Sequence, residues 1–279
     1  MTAGDDRVQG ASPAGSRALA LGLLGAGIGV WSTLCGIGGG IFAVPLLHYA
    51  YGFELRAAVA NSLWLVAAST SAATALEVVR SDTALDAGVL AVLAFASLAG
   101  TRAGFWISQR IPTRALKLLF CAVLLVAAYQ VFTAPGRPAA SNAGAALHPS
   151  PSEYAGIAGI GLAAGLVAPL LGIGGGLVAV PGLFLGIPSI GYATARACST
   201  GMSAFNAWQS VWLYRKERLS RVRTAAWLAG GALAGGVVGD VLIHFEGVVA
   251  VAQRLLGATL LLAAARFAWD VRAGSRARP

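Results

Sequence analysis

The chain has 279 residues, of which 57% are hydrophobic and only 11% charged, where a soluble domain carries about 25% charged residues. That excludes an ordinary soluble protein and describes a chain dissolved in lipid over most of its length, with a helical backbone there. The formal net charge of +9 does not mark a nucleic-acid surface: the basic residues fall in short loops between apolar segments, where membrane topology explains them.

In chain order, residues 1–16 form a polar tail containing Asp5, Asp6 and Arg7. No Ala-x-Ala-like cleavage site follows its first apolar run, so no signal peptide is read. The apolar stretch Arg17 to Leu47 is too long for one untilted span and is interrupted by a glycine cluster. Helices are expected at about Ala57–Val79, Ala87–Ser108 and Arg114–Phe132, giving a first membrane unit over 17–133. A linker without apolar periodicity covers 134–153.

The second membrane unit, 154–270, repeats this plan. An apolar stretch runs from Tyr154 to about Ile187 with its own glycine cluster. Helices follow from Arg196 to about Tyr214, from the basic loop 215–223 to about Ile243, and from Gly247 onward, before a basic tail at 271–279. Apolar tracts such as Val89–Leu98, Leu118–Val126 and Val248–Ala265 lie inside segments long enough to cross a hydrocarbon core of about 30 Å.

The repeat is sharpest at the glycines. Gly36-Ile37-Gly38-Gly39-Gly40, four residues and Pro45 recur 136 positions later as Gly172-Ile173-Gly174-Gly175-Gly176, four residues and Pro181. Two related halves follow, and a site built by one cluster has a counterpart in the other.

Charge counts choose between two topologies. If each glycine stretch crosses once, the Lys and Arg residues of loops and tails divide 12 against 6. If each enters, turns at the glycines and leaves on its own side, they divide 14 (Arg7, Arg17, Arg56, Arg110, Arg114, Lys117, five in the 215–223 loop, three in the tail) against 4 (Arg80, Arg137, Arg196, Arg254). The second arrangement obeys the positive-inside rule better. It puts both termini in the cytoplasm and gives each half a re-entrant hairpin plus three true crossings, an odd number, so the halves become inverted repeats.

Consecutive glycines each destabilise a helix by about 1 kcal/mol relative to Ala, and lipid offers no partner to the freed N–H groups. Such a break persists only where it lines protein or a wet cavity. There, backbone N–H groups without β-carbons, and the helix starts at Ile41 and Leu177, suit a small oxyanion. Gly36, Gly38, Gly39, Gly40, Gly172, Gly174, Gly175 and Gly176 are the candidate binding residues. Asn61-Ser62 and Ser199-Thr200 on the following helices add side-chain donors, with N-capping or helix–helix hydrogen bonding as their plainer role. Asn206 and Gln209 could line a pathway, though interhelical bonding suits them better. Close helix packing is the role expected for Gly100/Gly104 and Gly235/Gly239.

Other chemistries find less support. No Lys-Ser/Thr follows either cluster, which excludes a P-loop, and Ile41 and Leu177 stand where a dinucleotide fingerprint needs its last glycine. Serines are abundant, but none stands in a nucleophile elbow. His48, His148 and His244 are dispersed, so neither a metal site nor a cofactor is expected. Cys35, Cys121 and Cys198 lack C-x-x-C spacing and are read as packing residues. Of the intramembrane ionisable residues, Glu77 is expected to pair with Arg80 and Arg102 to snorkel, while Asp240 sits near a helix end, leaving the coupling ion illegible.

The paired Gly-Ile-Gly-Gly-Gly-(4)-Pro elements, the Asn61-Ser62 and Ser199-Thr200 positions, the Gly100/Gly104 helix leading to the Ile111-Pro112 turn, and Leu116-Lys117-Leu118-Leu119-Phe120 resemble the TauE/SafE family of sulfite and organosulfonate exporters, from about Arg17 to Asp270. The resemblance implies an all-α permease of the bacterial cytoplasmic membrane for sulfite, sulfoacetate or related sulfonates, with other small anions assigned to some relatives. With neither a nucleophile nor a metal site in the sequence, an enzyme is not expected, and a non-transporting assembly partner is less expected than a carrier. An anion channel is the alternative, and the glycine-rich helix faces could support a homodimer. The halves differ at Asn61-Ser62 and Ser199-Thr200, which suits an asymmetric substrate.

Overall fold

The computed structural model describes residues 15–35, 39–79, 85–133, 149–217, 222–242, 258, 261–269 and 272. Among them the regular elements are all helical: α1 (Gly15–Cys35), α2 (Gly40–Tyr49), α3 (Leu55–Val79), α4 (Ala87–Arg110), α5 (Thr113–Thr133), α6 (Pro151–Leu171), α7 (Gly176–Gly186), α8 (Tyr192–Lys216) and α9 (Val222–Leu242), with a further helical segment at 261–269. α3, α4 and α6 are long and apolar enough to cross a membrane. The linker residues 134–148, together with Gly36, Gly38, Arg80, His148, His244 and the side chain of Asp240, lie outside the described residues.

Local signals explain the boundaries. Asp86 caps α4 by accepting from the Val89 N–H at 2.8 Å, and α4 ends before the Ile111-Pro112 turn. Ser150 and Glu153 form a capping box that opens α6, with Pro151 in the first turn. α6 stops because Gly172 adopts φ +70°, the left-handed C-terminal conformation that glycine reaches without a β-carbon penalty. α7 then starts from Gly175 at φ +94°.

Glycine stripes join the halves. A β-carbon on Gly100 or Gly104 of α4 would strike the carbonyls of Leu162 or Leu166 on α6, and one on Gly161 or Gly165 of α6 would strike those of Leu93 or Ser97. The same arrangement recurs between α1 and α9: Gly25 and Gly29 meet Leu228 and Ala232, while Gly231 and Gly235 meet Gly22 and Ala26. Such backbone approach is what small residues permit where apolar burial drives no association. The packing role expected of Gly100, Gly104 and Gly235 is therefore observed, and Gly231 extends the α9 stripe.

These contacts also fix helix direction. The glycine contacts step forward together in α4 with α6 and in α1 with α9, so each pair is parallel. α4 is also parallel to α8, because Ser97 meets Asn206 and Ser108 meets Tyr214. α3 and α8 are antiparallel: the Trp208 indole N–H donates to Ser71 Oγ at 3.0 Å, while Glu77 further along α3 reaches back to Arg196. α7 runs back along α6, Gly182 lying against Ile160, and the Ser189 N–H just beyond it donates to the Glu153 carboxylate at 3.3 Å. The chain therefore turns at the second glycine cluster and returns to the end from which α6 set out.

At the end of the bundle that holds the α3 start, Arg110 lies 3.1 Å over the Trp106 ring and Lys216 lies 3.6 Å over the Trp212 ring. Both indoles are more than half exposed. Cation–aromatic pairs of this kind suit a membrane–water boundary. Phe267 stacks between Phe120 of α5 and His48 of α2, at ring distances of 5.2 and 6.3 Å, and ties the last helical segment to the first half.

Candidate functional site

The two glycine breaks meet in the core. Gly40, the first residue of α2, is buried against Gly172: a β-carbon on Gly40 would strike the Gly172 carbonyl and lie 2.8 Å from Ile173 Cα. Gly39 and Gly175 hold equivalent places. Each carbonyl accepts from the third and fourth N–H groups beyond it, Phe42 and Ala43 in one half, Val178 and Ala179 in the other. A β-carbon on Gly39 would lie 2.8 Å from the Ile28 side chain of α1, and one on Gly175 would lie 2.6 Å from the Ala164 carbonyl of α6.

The break at 172–176 bridges two levels of the bundle. Ser62 Oγ, fully buried on α3, is 3.0 Å from the Gly172 carbonyl and 2.8 Å from that of Val59. Ser199 Oγ on α8 donates to the Gly176 carbonyl at 3.4 Å, and Asn206 Nδ2 donates to the Gly174 carbonyl at 3.3 Å. Counted from the starts of α3 and α8, Ser62 and Ser199 occupy the same position. Because those helices are antiparallel, the two serines approach the loop from opposite ends.

Side chains thus engage the carbonyls of the loop, while the amides at its tip stay uncommitted. Among the described residues, no backbone hydrogen bond is donated by the N–H groups of Gly174 or Gly175. α7 opens directly beyond them, where the helix dipole adds partial positive charge. Uncommitted N–H groups in a buried break favour an acceptor, above all an anion.

The remaining predicted residues are placed as follows. Asn61 is fully buried and its Nδ2 donates to the Ala57 carbonyl one turn back at 2.7 Å. Thr200 Oγ1 likewise turns to its own helix, at the Arg196 carbonyl, 2.8 Å away. Gly174 (φ +75°) has Val66 of α3 and Ser203 of α8 in the space a side chain would need. Asn206 bonds between elements, also accepting from Ser97 Oγ at 2.7 Å. Ser97, Ser203 and the Tyr214 hydroxyl, which donates to the Pro169 carbonyl at 2.9 Å, were not singled out by sequence, although Ser203 and Asn206 share the Ser199 face at helical spacing.

Glu77 lies 3.7 Å from Arg196 of the other half, and its expected partner Arg80 lies outside the described residues. Arg102 is exposed on α4. Cys198 is buried in the core, and among the described residues no group of His, Cys, Asp and Glu could hold a metal ion.

The family model described as sulfite exporter TauE/SafE matches residues 3–131 and 157–279, nearly the whole chain in two blocks that follow the two halves. The chain belongs to the TauE/SafE family, whose members are membrane transporters of sulfite-type anions. No curated protein matches it, and no solved structure does.

Proposed function

We propose that this member of the TauE/SafE family is a secondary transporter of the bacterial cytoplasmic membrane that exports sulfite, sulfoacetate or a related organosulfonate by alternating access. The observation that carries the reading is the contact between the glycine breaks of the two halves, Gly40 against Gly172, beside the uncommitted N–H groups of Gly174 and Gly175 and the start of α7. Those amides bind the anion, with Asn61, Ser62, Ser199 and Thr200 shaping the surround. Donors without a fixed cation hold a small oxyanion loosely enough to release it.

The antiparallel course of α3 and α8, which hold equivalent places in the two halves, supports inverted repeats. The return of α7 along α6 supports a re-entrant hairpin. The cation–aromatic pairs near Arg110 and Lys216 support a cytoplasmic placement for that end, with both chain termini on the same side. With an inside-negative potential, export of an anion gains about 2.3 kcal/mol per charge per 100 mV, so uniport suffices.

The test is efflux from proteoliposomes containing the purified protein. Saturable efflux of one of these anions with counterflow, abolished in Asn61→Ala protein that remains folded, is expected. Flux without saturation or counterflow would make the protein a channel, and efflux unchanged in Asn61→Ala would remove the residue from the site.

A further inference from the structure

One feature of the core has no packing explanation. Thr101 of α4 and Ser210 of α8 are both 0% exposed, and neither hydroxyl has a hydrogen-bond partner. An unsatisfied buried hydroxyl costs about 1–3 kcal/mol. In helices such a group commonly turns to a carbonyl of the preceding turn, as Thr70 and Thr200 do.

Both belong to one file of polar side chains. Ser97, Thr101 and Ser108 recur on one face of α4, and Ser203, Asn206, Ser210 and Tyr214 on one face of α8, because steps of three, four and seven residues return to the same side of a helix. The faces meet at Ser97 with Asn206 (2.7 Å) and at Ser108 with Tyr214 (3.2 Å), and Thr101 and Ser210 fall between these contacts. The file is about 16 Å long, from the rise of α4 between Ser97 and Ser108.

Its ends have distinct chemistry. At the inner end Asn206 holds the Gly174 carbonyl of the glycine break. At the outer end Arg56 Nη2 donates to the carbonyls of Ile111 (2.9 Å) and Gln109 (3.4 Å), next to Ser108, while Arg56 Nε and Gln109 Nε2 are buried without partners. The uncommitted groups are hydroxyls, one amide nitrogen and one guanidinium nitrogen, all able to donate. The file includes no carboxylate or imidazole, which a proton relay would use.

We infer that the α4–α8 seam from Arg56 and Gln109 through Ser210 and Thr101 to Gly174 is the passage by which a hydrated oxyanion travels between the glycine break and the Arg56 end of the bundle. This rests on the transporter reading and adds its route. Arg56 attracts the anion, and the unpaired hydroxyls replace part of its water shell in transit.

The experiment joins flux with chemical access. Thr101→Val and Ser210→Ala each remove a buried hydroxyl that bonds nothing, so both are expected to hold or raise the melting temperature while slowing efflux by about tenfold, or ~1.4 kcal/mol in barrier. Ser210→Cys, in protein whose Cys35, Cys121 and Cys198 are replaced, is expected to react with anionic 2-sulfonatoethyl methanethiosulfonate and to be protected by sulfoacetate. Arg56→Gln is expected to slow that reagent more than neutral methyl methanethiosulfonate. Wild-type efflux in both hydroxyl variants together with an unreactive Ser210→Cys would overturn the passage and leave isolated buried water as the hydroxyls' partner. Should the wild-type protein move no sulfur anion, the transporter reading fails separately, because the labelling still reports whether an anion enters the seam.

Discussion

Gly40 and Gly172 stand in backbone contact although they belong to different halves of the chain: no β-carbon fits on Gly40 without striking the Gly172 carbonyl. The contact joins the two helix breaks, so a change in either must be felt by both. Gly40→Ala is expected to destabilise the protein by about 1–3 kcal/mol, the usual cost of overpacking, and to abolish efflux. Gly27→Ala is the control. Nothing lies within 4 Å of a β-carbon there, and Ala favours a helix by about 1 kcal/mol, so its melting temperature should hold or rise.

Gly174 and Gly175 make a conformational prediction. Both have positive φ, +75° and +94°, a region that costs an L-residue roughly 1–2 kcal/mol. A β-carbon on Gly175 would also lie 2.6 Å from the Ala164 carbonyl. Gly175→Ala should therefore lose more thermal stability than Gly176→Ala, where φ is not positive and a β-carbon would come no closer than 3.2 Å, to the Ser203 hydroxyl. Equal losses in melting experiments would contradict this account of the α7 start.

The glycine stripe between α4 and α6 predicts a purely structural defect. Gly165→Val would drive a branched side chain into the Ser97 carbonyl and separate the two helices. Greatly reduced yield of folded protein is expected, scored by size-exclusion chromatography in detergent. Gly159→Val, at a position with nothing within 4 Å, should give near wild-type yield.

Glu77 and Arg196 link the end of α3 to the start of α8 at 3.7 Å, with Arg196 39% and Glu77 15% exposed. A partly exposed pair contributes at most about 1 kcal/mol. Glu77→Gln should therefore change the melting temperature little. If the pair holds this end closed during alternating access, Glu77→Arg and Arg196→Glu will each alter the efflux rate, and the double exchange will restore it. Failure of the double exchange to recover the rate would separate the pair from transport.

Much of this architecture was legible in the sequence because it rests on local signals. Ile111-Pro112, Asp86 and the glycine clusters mark the element ends within a few residues, and the packing role of Gly100 and Gly104 follows from their spacing. What escaped is long-range. Gly161/Gly165 and Gly25/Gly29 have the same spacing, yet only the folded chain shows which stripe meets which. The pairing of Glu77 with Arg196 joins residues from different halves, and no local rule selects it. The buried hydroxyls of Thr101 and Ser210 look like ordinary small residues in an apolar run until the faces of α4 and α8 are seen to meet.

The most direct test of the central claim, an anion held where the glycine breaks meet, is thermal stabilisation of the purified protein. A panel of sulfite, sulfoacetate, taurine, sulfate, phosphate and chloride would be compared at one pH and constant ionic strength. At 100 times its dissociation constant a bound ligand contributes about 2.7 kcal/mol. The account predicts that sulfite or one sulfonate raises the melting temperature of the wild-type protein and not that of Asn61→Ala. A flat response across the panel, or the same rise in Asn61→Ala, would contradict it.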